Sequence, residues 1–573
     1  MVLSLTALAS TAACGGSTGD NGKSTMIYVG NFGGGIGRKW LDEAIVRFKE
    51  LKQNESYQAG KKGVEFDVDH NIHLSCNGMK TDGTHIYFLQ DKYYECFTQI
   101  QNGAAMDLTD IVVNQTLAEY GENVTIESKI NEEYRFAMKG LDNKYYMLPH
   151  YETQSGASYD VDLFEKEGFF LAQEGTGATA FKSNLTGKTH YFTNDEYKVK
   201  TVGNDGIAGT DDDGMPTTLT ELVAMCDHMM DEDVIPFSVA GSHIDYTNYF
   251  IEGLWTALAG YEQRNAVVSH TGTVDYVTGV DETKELWAGT GIYAPVVQKT
   301  TLVGDSTDGY KAINQAARYY AYAFVELGFQ QGWFYEKYKE TNYTHKEAMR
   351  AFVLNGLSGY VKLGSHLEGS YWYNEAESYN LFEDYKTFSG TGTNIKNIKH
   401  WNMPTSVGED VVTSEANSRK ETLINGMTST IMINGNIKDD GIARACKEFV
   451  KFLCTEQELD NFTASTGVSK ALYDYSIDND VLAQLDPYQK SVMALRANNP
   501  VVNQYGDNDA YRAKSGVMIY SISAEGFHPY LTGIEYTSPL EAYWKKSSNA
   551  WECFEVTGFS QSKWQSNVLS AIK

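Results

Sequence analysis

The chain has 573 residues, 42% of them hydrophobic, and a formal net charge of −28. That length supports more than one domain with ample core, while the acidic surplus excludes nucleic acid as a partner and repels acidic ligands. Tyrosine dominates the aromatic residues at 39 copies, which favours a ligand with flat apolar faces and many hydroxyls.

The first signal in chain order is Ala12-Ala13-Cys14-Gly15-Gly16, placed after the short apolar run Val2 to Ala9. Small side chains before a cysteine, with Gly and Ser after it, form the kind of site at which bacterial lipoproteins are lipidated and cleaved. The thiolate takes the diacylglycerol, and the small residues pass the signal peptidase pocket. The apolar run is too short to span a bilayer and is read as a signal peptide. Residues 1–24 are therefore expected to be a lipoprotein signal and polar linker, with Cys14 as the lipidated residue. Each buried CH₂ of the lipid contributes about 0.8 kcal/mol, so two or three acyl chains anchor stably. The remainder is expected to work on the extracellular face of the bacterial cytoplasmic membrane. No second long apolar run follows.

An α/β pattern starts immediately after the linker. Thr25 to Val29 reads as a buried strand, and the loop Gly30-Asn31-Phe32-Gly33-Gly34-Gly35 leads into a helix with Trp40, Ala44, Ile45, Phe48 and Leu51 on its apolar side. Val64, Phe66 and Val68 alternate as a second strand; Ile86 to Leu89 form a third, followed by a helix from about Tyr93 to Gln101. Strands alternating with helices call for a parallel sheet covered on both sides, and ligands of such sheets sit at the carboxyl ends of the strands. The post-strand residues Asn31, Phe32, Gln90 and Asp91 are thus placed toward a site.

Later helices are marked by capping boxes at Thr218 to Glu221, Thr455 to Glu458 and Ser538 to Glu541, the last with Pro539 at the first helical position. Further helices are expected near Ala312 to Leu327, Ala443 to Leu453 and Leu482 to Ala497, while residues 168–214, rich in Gly, Thr, Asn and Asp, read as an excursion from the core. Beyond Cys14 stand Cys76, Cys96, Cys226, Cys446, Cys454 and Cys553, whose spacing matches no zinc pattern. Cys446 and Cys454 fall at i and i+8 on one predicted helix, so buried free thiols are expected.

The glycine loop fails as a dinucleotide site, because Trp40 stands where the third glycine of the fingerprint belongs. It fails as a phosphate loop too, since Gly37-Arg38-Lys39-Trp40 replaces Gly-Lys-Ser/Thr. Small residues there let a bulky neutral ligand approach the backbone. No His-Glu-x-x-His zinc helix occurs, and no Gly-x-Ser-x-Gly elbow stands between a predicted strand and helix; no catalytic residue is assigned. Dense carboxylates and glycines at Gly203 to Pro216 can wrap a hard cation, and Asp205, Asp211 and Asp213 are the expected ligands of a structural calcium ion. No other cofactor is expected.

Four stretches in order resemble family 1 extracellular solute-binding proteins, the sugar-binding lipoproteins of ABC importers. Thr84 to Asp91 followed by Asn102 to Asp110 is similar to the family's third strand and its Leu-Thr turn. Asn143 to His150 followed by Tyr159 to Glu165 is similar to the first crossing between lobes, and Leu367 to Ala376 to the aromatic segment that supplies sugar-stacking rings. Lys447 to Cys454, continuing to Gly467, is similar to the late helix pair of the first lobe.

The resemblance implies a periplasmic-binding-protein-like fold: two α/β lobes, a hinge and a central ligand cleft. Lobe one would hold residues 25–150 and 401–467, and lobe two residues 151–400 and 468–573. It further implies a neutral oligosaccharide as ligand, ABC permease transmembrane subunits as partners, a lipid anchor and a monomer. Tyr371 and Trp372 become candidate stacking platforms, of which only one can stack because they are adjacent, with Glu375 as a hydroxyl partner. Tyr151 and Glu152 after the first crossing would line the cleft with Asn31, Phe32, Gln90 and Asp91. Trp255 fits core and cleft equally well. A secreted glycoside hydrolase and a peptide-binding protein of the same fold are the alternative readings.

Overall fold

The computed structural model describes residues 22–68, 75–90, 93–175, 177–194, 200–304, 307–408, 420–506, 521–523, 526–528, 538–558 and 560–570. In chain order the first strands are β1 (Thr25–Asn31), β2 (Val64–Asp67), β3 (Ile86–Leu89), β4 (Met147–Pro149) and β5 (Ser158–Asp160). Next come β6 (Phe170–Leu171), β7 (Thr179–Lys182), β8 (Thr189–Thr193), β9 (Ile235–Ser238), β10 (Thr273–Glu285) and β11 (Tyr293–Thr301). These are followed by β12 (Leu363–His366), β13 (Ile398–His400), β14 (Leu423–Ile424), β15 (Thr430–Ile433) and β16 (Val501–Val502).

The first sheet runs β2-β1-β3-β15-β4. β1 is parallel to β2 and β3, whereas β15 is antiparallel to both β3 and β4, so the sheet is mixed. Trp40, Ala44, Ile45 and Phe48 of the helix Lys39–Leu51 are buried, as their spacing requires, but Leu51 at its end is 53% exposed. Phe48 and Phe66 meet Phe449 of the helix Asp440–Phe452 at ring separations of 5.1 and 4.8 Å, closing this core.

The second sheet runs β13-β5-β12-β9. Tyr159 and Phe237 join a large cluster with the helices Thr247–Ser269 and Ala316–Gln331. Leu363 and Ile398 join a smaller one with the helices His345–Val353, Trp372–Ser378 and Pro487–Asn498. The helix expected over Leu482 to Ala497 is split into Asn479–Gln484 and Pro487–Asn498, because Pro487 has no N–H to continue a helix and instead starts one capped by Asp486. Both bonds of the Thr218–Glu221 capping box form. The 168–214 excursion folds into a small antiparallel sheet, β6-β8-β7, followed by the Asp-rich turn. Cys76, Cys96, Cys226, Cys446, Cys454 and Cys553 are buried free thiols.

Among the described residues, three segments run side by side between the two sheets. Ser155 N–H donates to the Ile424 carbonyl (3.3 Å), Asn425 N–H donates to the Val502 carbonyl (3.0 Å), and β14 pairs with β16 in parallel. The boundaries expected at 401 and 468 shift accordingly. Trp401, Met403 and Val407 pack in the second sheet's cluster, Trp401 meeting Phe164 at 5.8 Å, whereas Val468, Ala471 and Tyr473 pack in the first sheet's cluster. Burial of these side chains, rather than the ends of the resembling stretches, decides which lobe each segment joins.

Glu252, in the helix Thr247–Ser269, anchors two of these crossings. It accepts from Ser155 Oγ (3.3 Å), Gln504 Nε2 (3.2 Å) and Arg264 Nη2 (2.8 Å), and neither member of the ion pair is more than 2% exposed. Replacing one partner of such a pair strands the other in low dielectric. Arg264→Leu is therefore expected to cost about 3–5 kcal/mol in urea denaturation, and a loss under about 1 kcal/mol would show that the remaining donors suffice.

Candidate ligand cleft between the sheets

The carboxyl ends of β1, β3 and β4 point the same way and release the loops that face the second sheet. β1 ends at Asn31, β3 is followed by Gln90, and β4 by His150-Tyr151. Opposite them, β12 runs into Leu367-Glu368 and the helix Trp372–Ser378. The two sides touch directly: Gly35 N–H donates to Glu375 Oε1 at 2.5 Å. Behind that contact Tyr151 OH donates to Gln90 Oε1 (2.5 Å) and lies 3.2 Å from Met427 Sδ. Gly35 has φ +62°, and a Cβ there would come within 3.3 Å of Tyr151 OH and 3.4 Å of Gln90 Oε1. A side chain at this position would be strained and would also wedge the loops apart. Asn31 Nδ2 donates to the Phe32 carbonyl (2.9 Å), and the Phe32 ring, 41% exposed, stands at the rim.

The second-sheet wall is built of phenols and carboxyls. Tyr371 OH donates to Tyr249 OH (3.4 Å), Tyr246 meets Tyr249 edge-on at 5.9 Å, and His243 stacks on Tyr246 at 4.9 Å. Glu368 is fully buried, with Oε2 3.1 Å from His366 Nε2. Burial pushes the Glu368 carboxyl well above the ordinary carboxylate range and holds His366 down to about 3, so the pair stays neutral with the proton on the carboxyl. Glu375 is pushed up to about 8, chiefly by burial, against the opposing Gly35 amide. Such a wall can give and accept hydrogen bonds at neutral pH without a fixed charge.

Asn31, Phe32, Gln90, Tyr151, Tyr371 and Glu375 thus gather around one closed seam. Three other expected site residues are placed elsewhere. Trp372 is a core residue: it is fully buried, its Nε1 donates to Ser158 Oγ (2.7 Å), and His366 and Tyr488 pack on its ring. Trp255 is likewise buried, donating to Gln315 Oε1 (2.8 Å) beneath the Arg264 guanidinium 4.2 Å from its ring. Glu152 turns to Arg496 of the helix Pro487–Asn498. Asp91 and Cys14 lie outside the described residues. Tyr246, Tyr249 and Glu368 were not read from the sequence; Glu368 falls inside the aromatic stretch, but the two tyrosines lie in or beside a helix buried on all sides, where periodicity marks no face.

The carboxylates of the Asp-rich turn bond within the turn and to Lys399. Asp205 Oδ1 accepts from Ile207 N–H (2.7 Å), Asp213 Oδ2 from Gly209 N–H (2.6 Å), and Asp211 pairs with Lys399 (2.7 Å). Among the described residues no group of three or more His, Cys, Asp or Glu side chains is arranged to hold a metal ion. Asp213 Oδ1 is buried with no partner among the described residues.

No protein-family model matches the sequence, and no curated protein matches it. Among solved structures the chain is similar to "SBP RafE in complex with raffinose", with 11% identity over 86% of this chain and 94% of that one, at a TM-score of 0.46. It is similar to a "Chitin oligosaccharide binding protein", with 13% identity over 86% and 93% of the two chains and a TM-score of 0.46. A third likeness is to the bacterial solute receptor AcbH, described as having an exclusive preference for b-D-galactopyranose, with 12% identity, coverage of 87% and 92%, and a TM-score of 0.45. With scores below one half, the architecture rests on this chain's own sheets and crossings.

The raised Glu375 carboxyl gives a pH test. A group bound more tightly to its proton in the folded, closed form stabilises that form fully below its ordinary value of 4.5, and the effect is lost as pH rises toward about 8. The melting temperature of the parent minus that of Glu375→Gln, which keeps an acceptor for Gly35, is expected to fall across that window. A difference flat in pH would contradict the burial of this carboxyl.

Proposed function

We propose that the chain is the extracellular binding protein of an ABC importer, anchored through Cys14, which captures a neutral oligosaccharide between its lobes and hands it unaltered to the permease. The direct hydrogen bond from Gly35 to Glu375 carries this reading, because it joins a strand-end loop of one lobe to the aromatic segment of the other. A hinge on crossings that run side by side, two of them parallel and one antiparallel, would let that contact open and re-form.

The chemistry suits a sugar. A pyranose offers a C–H face and a rim of hydroxyls, and aromatic side chains, each burying roughly 150–250 Å², supply the apolar contact. Tyr371, Tyr249, Tyr151 and Phe32 stand where rings are needed, and Asn31, Gln90 and Glu375 where hydroxyls need partners. Opening the seam frees Glu375 from Gly35 and exposes Gln90 and Tyr151 on the opposite wall. Leaving such groups bare in a re-closed cleft costs about 1–3 kcal/mol each, so an occupant must replace their hydrogen bonds. Neutral carboxyls at Glu368 and Glu375 are compatible with an uncharged ligand and would penalise an anion less than carboxylates would, although the overall acidity still opposes one.

A thermal-shift screen of soluble oligosaccharides, with chromatography of the recovered sugar, tests the proposal. A ligand at one hundred times its dissociation constant should stabilise by about 2.7 kcal/mol. Peptide-only stabilisation or recovery of cleaved sugar would overturn it. Tyr371→Ala is expected to weaken sugar binding at least about tenfold. Trp372→Ala is expected to lower stability by about 3–5 kcal/mol as a core deletion, read by denaturation.

A further inference from the structure

Two cysteines in the first sheet's core come into sulfur contact. Cys76 Sγ lies 3.9 Å from Cys96 Sγ, and both residues are fully buried. They stand 20 residues apart in the chain and on different elements. Cys76 opens the short 3-10 helix Cys76–Gly78, and Cys96 lies in the helix Tyr93–Gln101. The contact belongs to a wider register between these elements. Ser75 Oγ donates to Glu95 Oε2 (3.2 Å), and Gln99 Nε2 donates to Asn77 Oδ1 (3.4 Å). Both neighbours of Cys76 are thus tied to one face of the helix, since spacings of three and four residues bring Glu95, Cys96 and Gln99 together. From the sheet, Thr430 Oγ1 of β15 lies 3.4 Å from Cys96 Sγ.

A disulfide holds its sulfurs at roughly 2.05 Å, so this pair has roughly 2 Å to close. A turn of each side chain about its Cα–Cβ bond supplies that approach, because the flanking hydrogen bonds already hold the two backbones in register. The other common partner of paired thiols is a soft metal ion. Among the described residues no group of three or more His, Cys, Asp or Glu side chains converges to hold one.

We propose that Cys76 and Cys96 form a disulfide when the chain folds in an oxidising compartment, closing a ring that contains β3 and Gln90 of the cleft. The compartment is the one the extracellular reading supplies, whereas the capacity to form the bond rests on the geometry of the pair alone. The oxidant is itself a disulfide. One cysteine thiolate attacks it, giving a mixed disulfide and one released thiol. The second cysteine thiolate then attacks the mixed disulfide, making the Cys76–Cys96 bond and releasing the other thiol. Two electrons pass from the cysteine pair to the oxidant, and the two cysteine protons end on the released thiols. In the folded chain the bond to Cys96, and then burial, hold the Cys76 thiol above its ordinary value, which disfavours the attacking thiolate. Exchange therefore belongs to the folding chain, and the same burial shields the finished bond from reductants.

The test uses the full chain with Cys14→Ser, which leaves six thiols. It is refolded from denaturant in oxidised and reduced glutathione, alkylated under denaturing conditions and mapped by mass spectrometry of its peptides. A peptide pair joined through Cys76 and Cys96 is expected, with the other four cysteines alkylated. The oxidised protein is expected to melt at least about 2 °C above the same chain refolded in dithiothreitol. That gap should vanish in Cys76→Ala and in Cys96→Ala, and the peptide map of the parent decides the matter if neither variant folds. Six alkylated thiols after oxidative refolding, a linkage through any other cysteine, or a gap that persists in the folded alanine variants would overturn the disulfide. The assay contains no sugar, so its failure leaves the proposed cleft ligand untouched, and failure of the oligosaccharide screen leaves the disulfide standing.

Discussion

The side chain of Asn425 touches all three chain crossings, and the relation between the two sheets depends on it. Its Oδ1 accepts from Thr153 N–H (3.2 Å) and Met427 N–H (3.1 Å), while its Nδ2 donates to Asn503 Oδ1 (3.2 Å). Asn425 is 1% exposed, so each of these bonds replaces water that cannot return. Gln504 extends the seam, donating to the Asn425 carbonyl and to Glu252 at 3.2 Å each. Gly253 lets the helix Thr247–Ser269 approach, since a Cβ there would sit 2.9 Å from the Ser155 carbonyl oxygen and 3.0 Å from Gly156 Cα. A seam held by polar bonds of fixed direction keeps the crossings in register.

The cleft inherits its chemistry from that geometry. With the crossings fixed, the loops after β1, β3 and β4 can only meet the segment after β12, and the meeting point is Gly35 against Glu375. The second-sheet wall is dry enough to keep its carboxyls protonated, which turns a strongly acidic protein locally into a surface of neutral donors and acceptors. Overall charge and site charge are therefore different quantities here: the first governs which molecules approach, the second what they find on arrival.

Much of the local structure was legible in the sequence. The strand at Ile86–Leu89, the helix at Tyr93–Gln101 and the capping box at Thr218–Glu221 form where the pattern places them. Each is decided by neighbours a few residues apart: alternation, helical spacing, or a side chain reaching the next turn's amides. The strand-end positions Asn31, Phe32 and Gln90 were legible for a related reason, because any residue leaving a strand at that sheet edge faces the same side.

Only tertiary structure could sort the aromatics. Tyr371 and Trp372 are neighbours with equal claims to a ligand, yet one meets Tyr249 at the cleft while the other is sealed between His366 and Tyr488. Trp255 is decided by Gln315 and Arg264, the first 60 residues away in the chain. In the Asp-rich turn only the folded loop decides which carboxylate meets which group: Asp205 and Asp213 accept from its own amides and Asp211 pairs with Lys399, 188 residues away. The sequence by itself determined the α/β elements and the chemical palette, since both follow from residue type and short-range spacing. Which ring meets which partner, which carboxyl is driven toward its protonated form and which cluster each segment joins were decided by burial among residues distant in the chain, a quantity that no local pattern contains.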